Sequence, residues 1–258
     1  MRLKRALLAV AFAAWLGTFT TASATAASLH VAPVRIALTG ARPVASLTLG
    51  NGEDEEVAIQ VEVLAWSQRD GQDHYAPTRD VLVNPSIFRV PARGQQIVRM
   101  GLQVAAADEE RSYRVFFQQL PRDQALPADA AGSAGARLQT LLRIGVPLFV
   151  PAAAARQSLH WKLTPAAWAE GGTHRLWLDN RGTDHLQLTE VRLRHEGGAE
   201  LLRKSLSWYV LPGRSASIAL DLPVLPPDTT LQLELASDAP SALPAVRLRV
   251  PRADAAPR

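Results

Sequence analysis

Between Val57 and Val63 the chain alternates strictly: Val57, Ile59, Val61 and Val63 are apolar, and Ala58, Gln60 and Glu62 between them are small or polar. A period of two is the mark of a strand with one face buried and the other wetted. The same rhythm returns in short runs punctuated by Pro, Gly and Asn. Ala45, Leu47 and Leu49 precede an Asn51-Gly52-Glu53-Asp54 turn, and a short strand through Ile87, Phe88 and Val90 lies between Pro85 and the Pro91-Ala92-Arg93-Gly94 turn. Ile97–Leu102 and Tyr113–Leu120 extend the series, and Leu29–Leu38 begins it with an interruption at Pro33, which demotes that run to an edge or bulged strand. No helix longer than a turn or two is legible beyond the first 26 residues. Many short strands at regular spacing predict an all-β sandwich.

The pattern stops at Pro151 and the small residues Ala152–Ala155, then resumes at Leu159. Strands are expected at Arg175–Asn180, Leu186–Leu193, Leu206–Val210, Ser217–Leu222, Thr230–Leu235 and Ala245–Val250. The chain therefore reads as two successive β-sandwich domains, 27–151 and 156–253, behind an N-terminal leader.

The leader is Met1-Arg2-Leu3-Lys4-Arg5, an apolar run from Ala6 to Leu16, and small residues ending in A-x-A sites at Ala24 or Ala26. That is the form of a cleaved signal peptide over 1–26; a membrane span needs about 20 apolar residues, and this run is shorter. Its three cations account for most of the formal charge of +4, leaving +1 for residues 27–258. The remaining arginines are spaced singly among carboxylates and apolar residues, so the apparent basicity does not indicate a nucleic-acid partner. An exported chain with no cysteine relies on two self-sufficient cores instead of disulfides.

No catalytic signature is present: no nucleophile elbow, no phosphate-binding loop, no glycine-rich dinucleotide turn and no zinc-protease motif. The six histidines lack ligand spacing. The sequence thus predicts no enzyme, no metal, no cofactor and no small-molecule substrate. A binding role has one candidate. After the seventeen-residue segment Pro121–Arg137, Leu138, Thr140, Leu142, Ile144 and Val146 form a row on one face of an extended run. Such an apolar strand offers a sheet edge to another polypeptide, although an internal core strand gives the same periodicity. A secreted sandwich module binding carbohydrate or a surface protein is the alternative function.

Ordered segments across almost the whole of residues 27–258 carry a family resemblance. They include LTLGN at Leu47–Asn51, NPSIFRVPARGQQIVRM at Asn84–Met100, YRVFFQQLP at Tyr113–Pro121 and LQTLLRIGVPLFVP at Leu138–Pro151. LWLDNRGTDHLQLTEVRL at Leu176–Leu193 and VLPGRS at Val210–Ser215 continue the order. The chain resembles a periplasmic pilus-assembly chaperone of the chaperone–usher pathway. The resemblance implies two immunoglobulin-like sandwiches in an L-shaped arrangement, a periplasmic location, and pilin subunits and an outer-membrane usher as partners. It also implies donor-strand complementation, with Leu138, Thr140, Leu142, Ile144 and Val146 as the lent row, and anchoring of the pilin's C-terminal carboxylate by Arg35.

Two positions depart from the family. The lysine that partners the anchoring arginine is replaced by Pro147, and Arg143, four residues or roughly 13 Å along the strand, is the alternative second cation. The arginine that ties the two domains after the lent strand is replaced by Val150-Pro151, although Glu110 matches one of its acidic partners. This predicts a less firmly tied joint.

Overall fold

The computed structural model describes residues 28–121, 140–166, 173–238 and 242–250. The expected leader, the segment 122–139 with Leu138, and residues 251–258 lie outside them. The described residues fold as two β-sandwiches, antiparallel except for one short parallel pair in the first.

The first sandwich begins with β1 (Leu29–Ala32) and β2 (Ile36–Ala37), the two halves of the run interrupted by Pro33. The interruption moves the chain from one sheet to the other. β1 pairs with β3 (Val44–Asn51), which continues to β8 (Gln95–Leu102) and β6 (Val81–Asn84). β2 pairs in parallel with β10 (Arg143–Val150), followed by β9 (Arg111–Gln119), β4 (Val57–Arg69) and β5 (Gln72–Pro77), with β7 (Ile87–Val90) also on β4. β5 was not legible in the sequence, because Gln72–Pro77 is exposed throughout and carries no alternation, and β6 spans only four residues.

The alternation of β4 is realised: Val57, Ile59, Val61 and Val63 are buried, packed with Val115, Phe117, Leu47, Val98 and Met100 between the sheets. Beyond Val63 the burial changes face. Trp66 and Gln68, on the opposite side of the strand, become the buried residues because the second sandwich covers them. One strand thus serves two cores in succession.

The second sandwich pairs β11 (Leu159–Pro165), β12 (His174–Asn180) and β15 (Arg214–Leu220) against β14 (Glu200–Val210), β13 (Leu186–His195), β16 (Thr230–Ser237) and β17 (Val246–Arg249). Its core is mostly leucine: Leu176, Leu178, Leu188, Leu193, Leu231 and Leu233 are fully buried, with Val191 and Val210 among them. The two sandwiches share a local device. Asn51 donates to Glu55 O, Val90 O and Pro91 O at 2.8, 3.2 and 3.0 Å and accepts from Glu53 N. Asn180 likewise donates to Asp184 O and Val210 O at 2.9 and 3.0 Å and accepts from Gly182 N. Each buried amide satisfies backbone groups that a turn leaves without ladder partners.

Candidate functional site: a strand edge beside an interdomain cleft

β10 carries the inner end of the expected row, Ile144 and Val146, and among the described residues it is an edge strand for most of its length. Among those residues β9 covers one side from Arg143 to Val150, while β2 meets the other only at Leu148 and Phe149. The carbonyl of Phe149 accepts from Leu38 N at 2.9 Å on that side, whereas the carbonyl of Leu142 accepts from Gln119 N at 2.9 Å on the β9 side. Backbone groups alternate along a strand, so Arg143 and Gly145 direct N–H and C=O to the open edge. Pro147 directs only a carbonyl there. A proline is tolerated because its missing N–H faces outward, and it ends the run of free donors.

The side-chain row grades from buried to exposed. Val146 is buried in the first core and Ile144 packs partly against it. Leu142 is half-buried and Thr140 exposed, both ahead of the regular strand. From Val146 to Val150 every residue is buried, so both faces of this stretch are covered, the outer one by the second domain at Phe149.

That joint is more firmly tied than the missing arginine predicted. Trp66, Phe149 and Leu211 form a buried cluster with Tyr209 against it. Trp66 and Tyr209 meet edge-on with centroids 5.4 Å apart. Gln68 donates to Tyr209 O and accepts from Leu211 N, both at 3.0 Å. Two of the acids at the joint have separate partners. Glu110, only 3% exposed, accepts from His185 Nδ1 at 2.8 Å and from Ser112 Oγ at 3.3 Å. His185 stacks flat on Phe149 with centroids 3.6 Å apart. Asp238, just past β16, is ion-paired with Arg35.

Arg35 therefore stands where the two domains meet. It lines a cleft of about 530 Å³ together with Ala37, Glu110, Phe149, His185 and Asp238. The two arginines that the sequence weighed are not neighbours in this arrangement. Arg143 lies on the outer face of the sheet with its guanidinium 3.9 Å from the centre of the Phe116 ring. The cation that the register brings to Pro147 is Arg114, its direct partner on β9. Arg114 lies 4.1 Å above the Trp66 ring and 5.8 Å from that of Tyr209, with Asp73 at 3.9 Å. Tyr209 sits in the field of both Arg35 and Arg114. Burial nonetheless pushes its phenol above the usual range, and the two guanidiniums only offset part of that rise. Arg114 was missed because the segment between β9 and β10 hides the register from any count along the sequence.

Among the described residues, no group of three or more His, Cys, Asp or Glu is placed to hold a metal. Two sandwiches joined at a cleft lined by both arginines and carboxylates, with a strand edge beside it, define a tandem immunoglobulin-like protein. Residues 28–154 match the family described as pili and flagellar-assembly chaperone, PapD N-terminal domain. By this match residues 28–154 are a domain of that family.

Solved structures agree on the fold of both domains. The chaperone–tip adhesion subunit pre-assembly complex CsuC–CsuE of the archaic chaperone–usher Csu pili of Acinetobacter baumannii matches 88% of this chain and 100% of the solved chain, at 16% identity and a TM-score of 0.60. The Salmonella enterica SafA pilin–SafB chaperone complex matches 86% and 96% of the two chains, at 18% identity and a TM-score of 0.56. The Escherichia coli chaperone DraB matches 86% and 95%, at 20% identity and a TM-score of 0.55. No curated protein sequence matches the chain significantly.

Proposed function

We propose that this protein is a periplasmic chaperone that stabilises pilus subunits by donor-strand complementation and delivers them to an outer-membrane usher. The observation that carries the reading is the β10 edge: a strand open from Arg143 to Pro147 whose inward row continues the protein's own core out to the exposed end. An incoming strand would pair with the free groups of Arg143 and Gly145 while its domain buries Leu142, Ile144 and, further out, Thr140 and Leu138. Each aliphatic side chain fully buried this way contributes about 1.5–3 kcal/mol. Val146 is already committed to the first core and supports the row from below.

The client's terminal carboxylate is assigned to Arg35, a planar fork that is charged at every physiological pH. Arg114 is the second cation in place of the lysine that Pro147 displaces, and Arg143, held over Phe116, is a contact along the lent edge. The solved relatives CsuC and SafB are described in complex with a tip adhesion subunit and a pilin, and that class of partner is carried to this chain. Export is assigned to residues 1–26, with cleavage after Ala24 or Ala26; N-terminal sequencing of protein recovered from the periplasm distinguishes the two.

Co-expression with the fibre subunit encoded beside this chain tests the reading. A 1:1 periplasmic complex is expected for the wild-type protein, and none for Leu142→Asp/Ile144→Asp. Undiminished yield from the double variant, folded by circular dichroism, would sink strand donation.

A further inference from the structure

The anchoring arginine is already occupied by a carboxylate of the same chain. Asp238 of the second domain is ion-paired with Arg35 of the first, and both side chains line the cleft. Asp238 is held there by the fold: it directly follows β16, and its own N–H donates to Gln187 O at 3.2 Å. The pair is accessible, with Arg35 42% and Asp238 20% exposed, so solvent and an incoming ligand both reach it. The other acids of the cleft are partnered elsewhere: Glu110 by His185 and Ser112, and Asp184 Oδ1 by the N–H of Ala152 at 3.3 Å. An aspartate side chain and a polypeptide C-terminus present the same group to a guanidinium, two oxygens in a plane.

We propose that Asp238 is an internal placeholder: it occupies the anchoring guanidinium in the free protein, and a client's C-terminal carboxylate gains Arg35 by displacing it. This rests on the reading of Arg35 as the anchor. Exchange of one carboxylate for another yields little net energy by itself. The placeholder therefore screens the cleft against small free acids and favours ligands that also bury a strand along β10. Loss of the Arg35–Asp238 pair on capture also frees one tie between the domains, leaving the Trp66–Phe149–Leu211 cluster, Gln68 and the Glu110–His185 contact to hold the joint.

The test uses the full chain and the denatured fibre subunit encoded beside it, with the complex quantified on native gels for wild type, Asp238→Asn, Arg35→Ala and the double variant. Asp238→Asn keeps the shape and removes the competing charge. It is expected to tighten capture about fivefold, the size associated with a part-exposed ion pair. Arg35→Ala is expected to weaken capture, and adding Asp238→Asn to it to change nothing further. If Arg35→Ala weakens capture while Asp238→Asn leaves it unchanged or weakens it too, the placeholder is wrong and the anchor stands. If Arg35→Ala has no effect, the anchor and the placeholder fall together. Sodium acetate supplies a second probe that needs no subunit. The Arg35 Nε–H resonance should shift at lower acetate concentration in Asp238→Asn than in wild type, and equal responses would overturn the proposal.

Discussion

Pro147 and Arg114 face each other across the β9–β10 ladder, an imide ring without charge or donor opposite a guanidinium that is 15% exposed. The pairing makes the loss of a cation from one strand and the presence of one on the next a single arrangement. The pocket at Pro147 is closed, since every residue from Val146 to Val150 is buried, so a second charge has no room to leave.

Restoring a lysine there should consequently harm the protein. Pro147→Lys would place an ammonium opposite Arg114 in a desolvated position, and a fall in thermal stability is expected. Pro147→Lys/Arg114→Ala should recover part of the loss, and a double-mutant cycle by thermal melting measures the coupling.

The lent row should divide into folding and capture positions. Val146→Ala opens a cavity in the first core and is expected to cost about 2 kcal/mol in chemical denaturation. Leu142→Asp, half-buried and outside the regular strand, should leave the denaturation midpoint nearly unchanged and abolish the subunit complex.

Gln68 ties the domains through two backbone groups. Gln68→Ala would strand Tyr209 O and Leu211 N in a buried joint, at about 1–3 kcal/mol for each group left unsatisfied. Calorimetry should resolve two separate transitions in this variant where the parent's are merged or closer together, because the joint and not either core is affected.

Tyr209 reports on the cleft electrostatics. Its phenol is raised by burial and lowered in part by Arg35 and Arg114. Arg35→Ala removes one of the lowering charges, so the ionisation of Tyr209 should move to still higher pH. Aromatic-carbon NMR follows it, with assignment aided by the presence of only three tyrosines.

Acid should weaken the second sandwich through Glu190. Arg203, and after it Arg192, hold its carboxyl below the usual range by charge-assisted hydrogen bonds. A carboxyl lowered in the folded state contributes stability that is complete above its unfolded pKa and disappears as pH falls through the folded one. Glu190→Gln should therefore flatten that part of the acid limb of a stability-versus-pH curve, measured by urea denaturation.

The parts of the fold that the sequence made legible are those where burial alternates on one face. Val57–Val63 and the leucines of β12 and β13 announce themselves, and the pause at Ala152–Ala155 marks the gap between cores. Gln72–Pro77 could not be read because an exposed strand needs no pattern. The joint was hidden for a different reason. Trp66, Gln68 and Phe149 lie on the faces that alternation assigns to solvent, and only the second domain makes them interior. Arg35 was legible through the family resemblance, but its partner Asp238 lies about two hundred positions away, and Arg114 depends on a register that no local signal reports.

The graded row on β10 has one more implication. Val146 belongs wholly to the protein's own core, Ile144 packs partly against it, and Leu142, half-buried, lies ahead of the regular strand. A strand that docks on this edge extends one hydrophobic interior across two polypeptides, and the boundary between them falls within a single side chain. At Ile144 the energy that folds the host and the energy that holds its guest are the same quantity. Evolution cannot adjust one there without adjusting the other, and variation in client preference is expected further out along the row, where the host has nothing to lose.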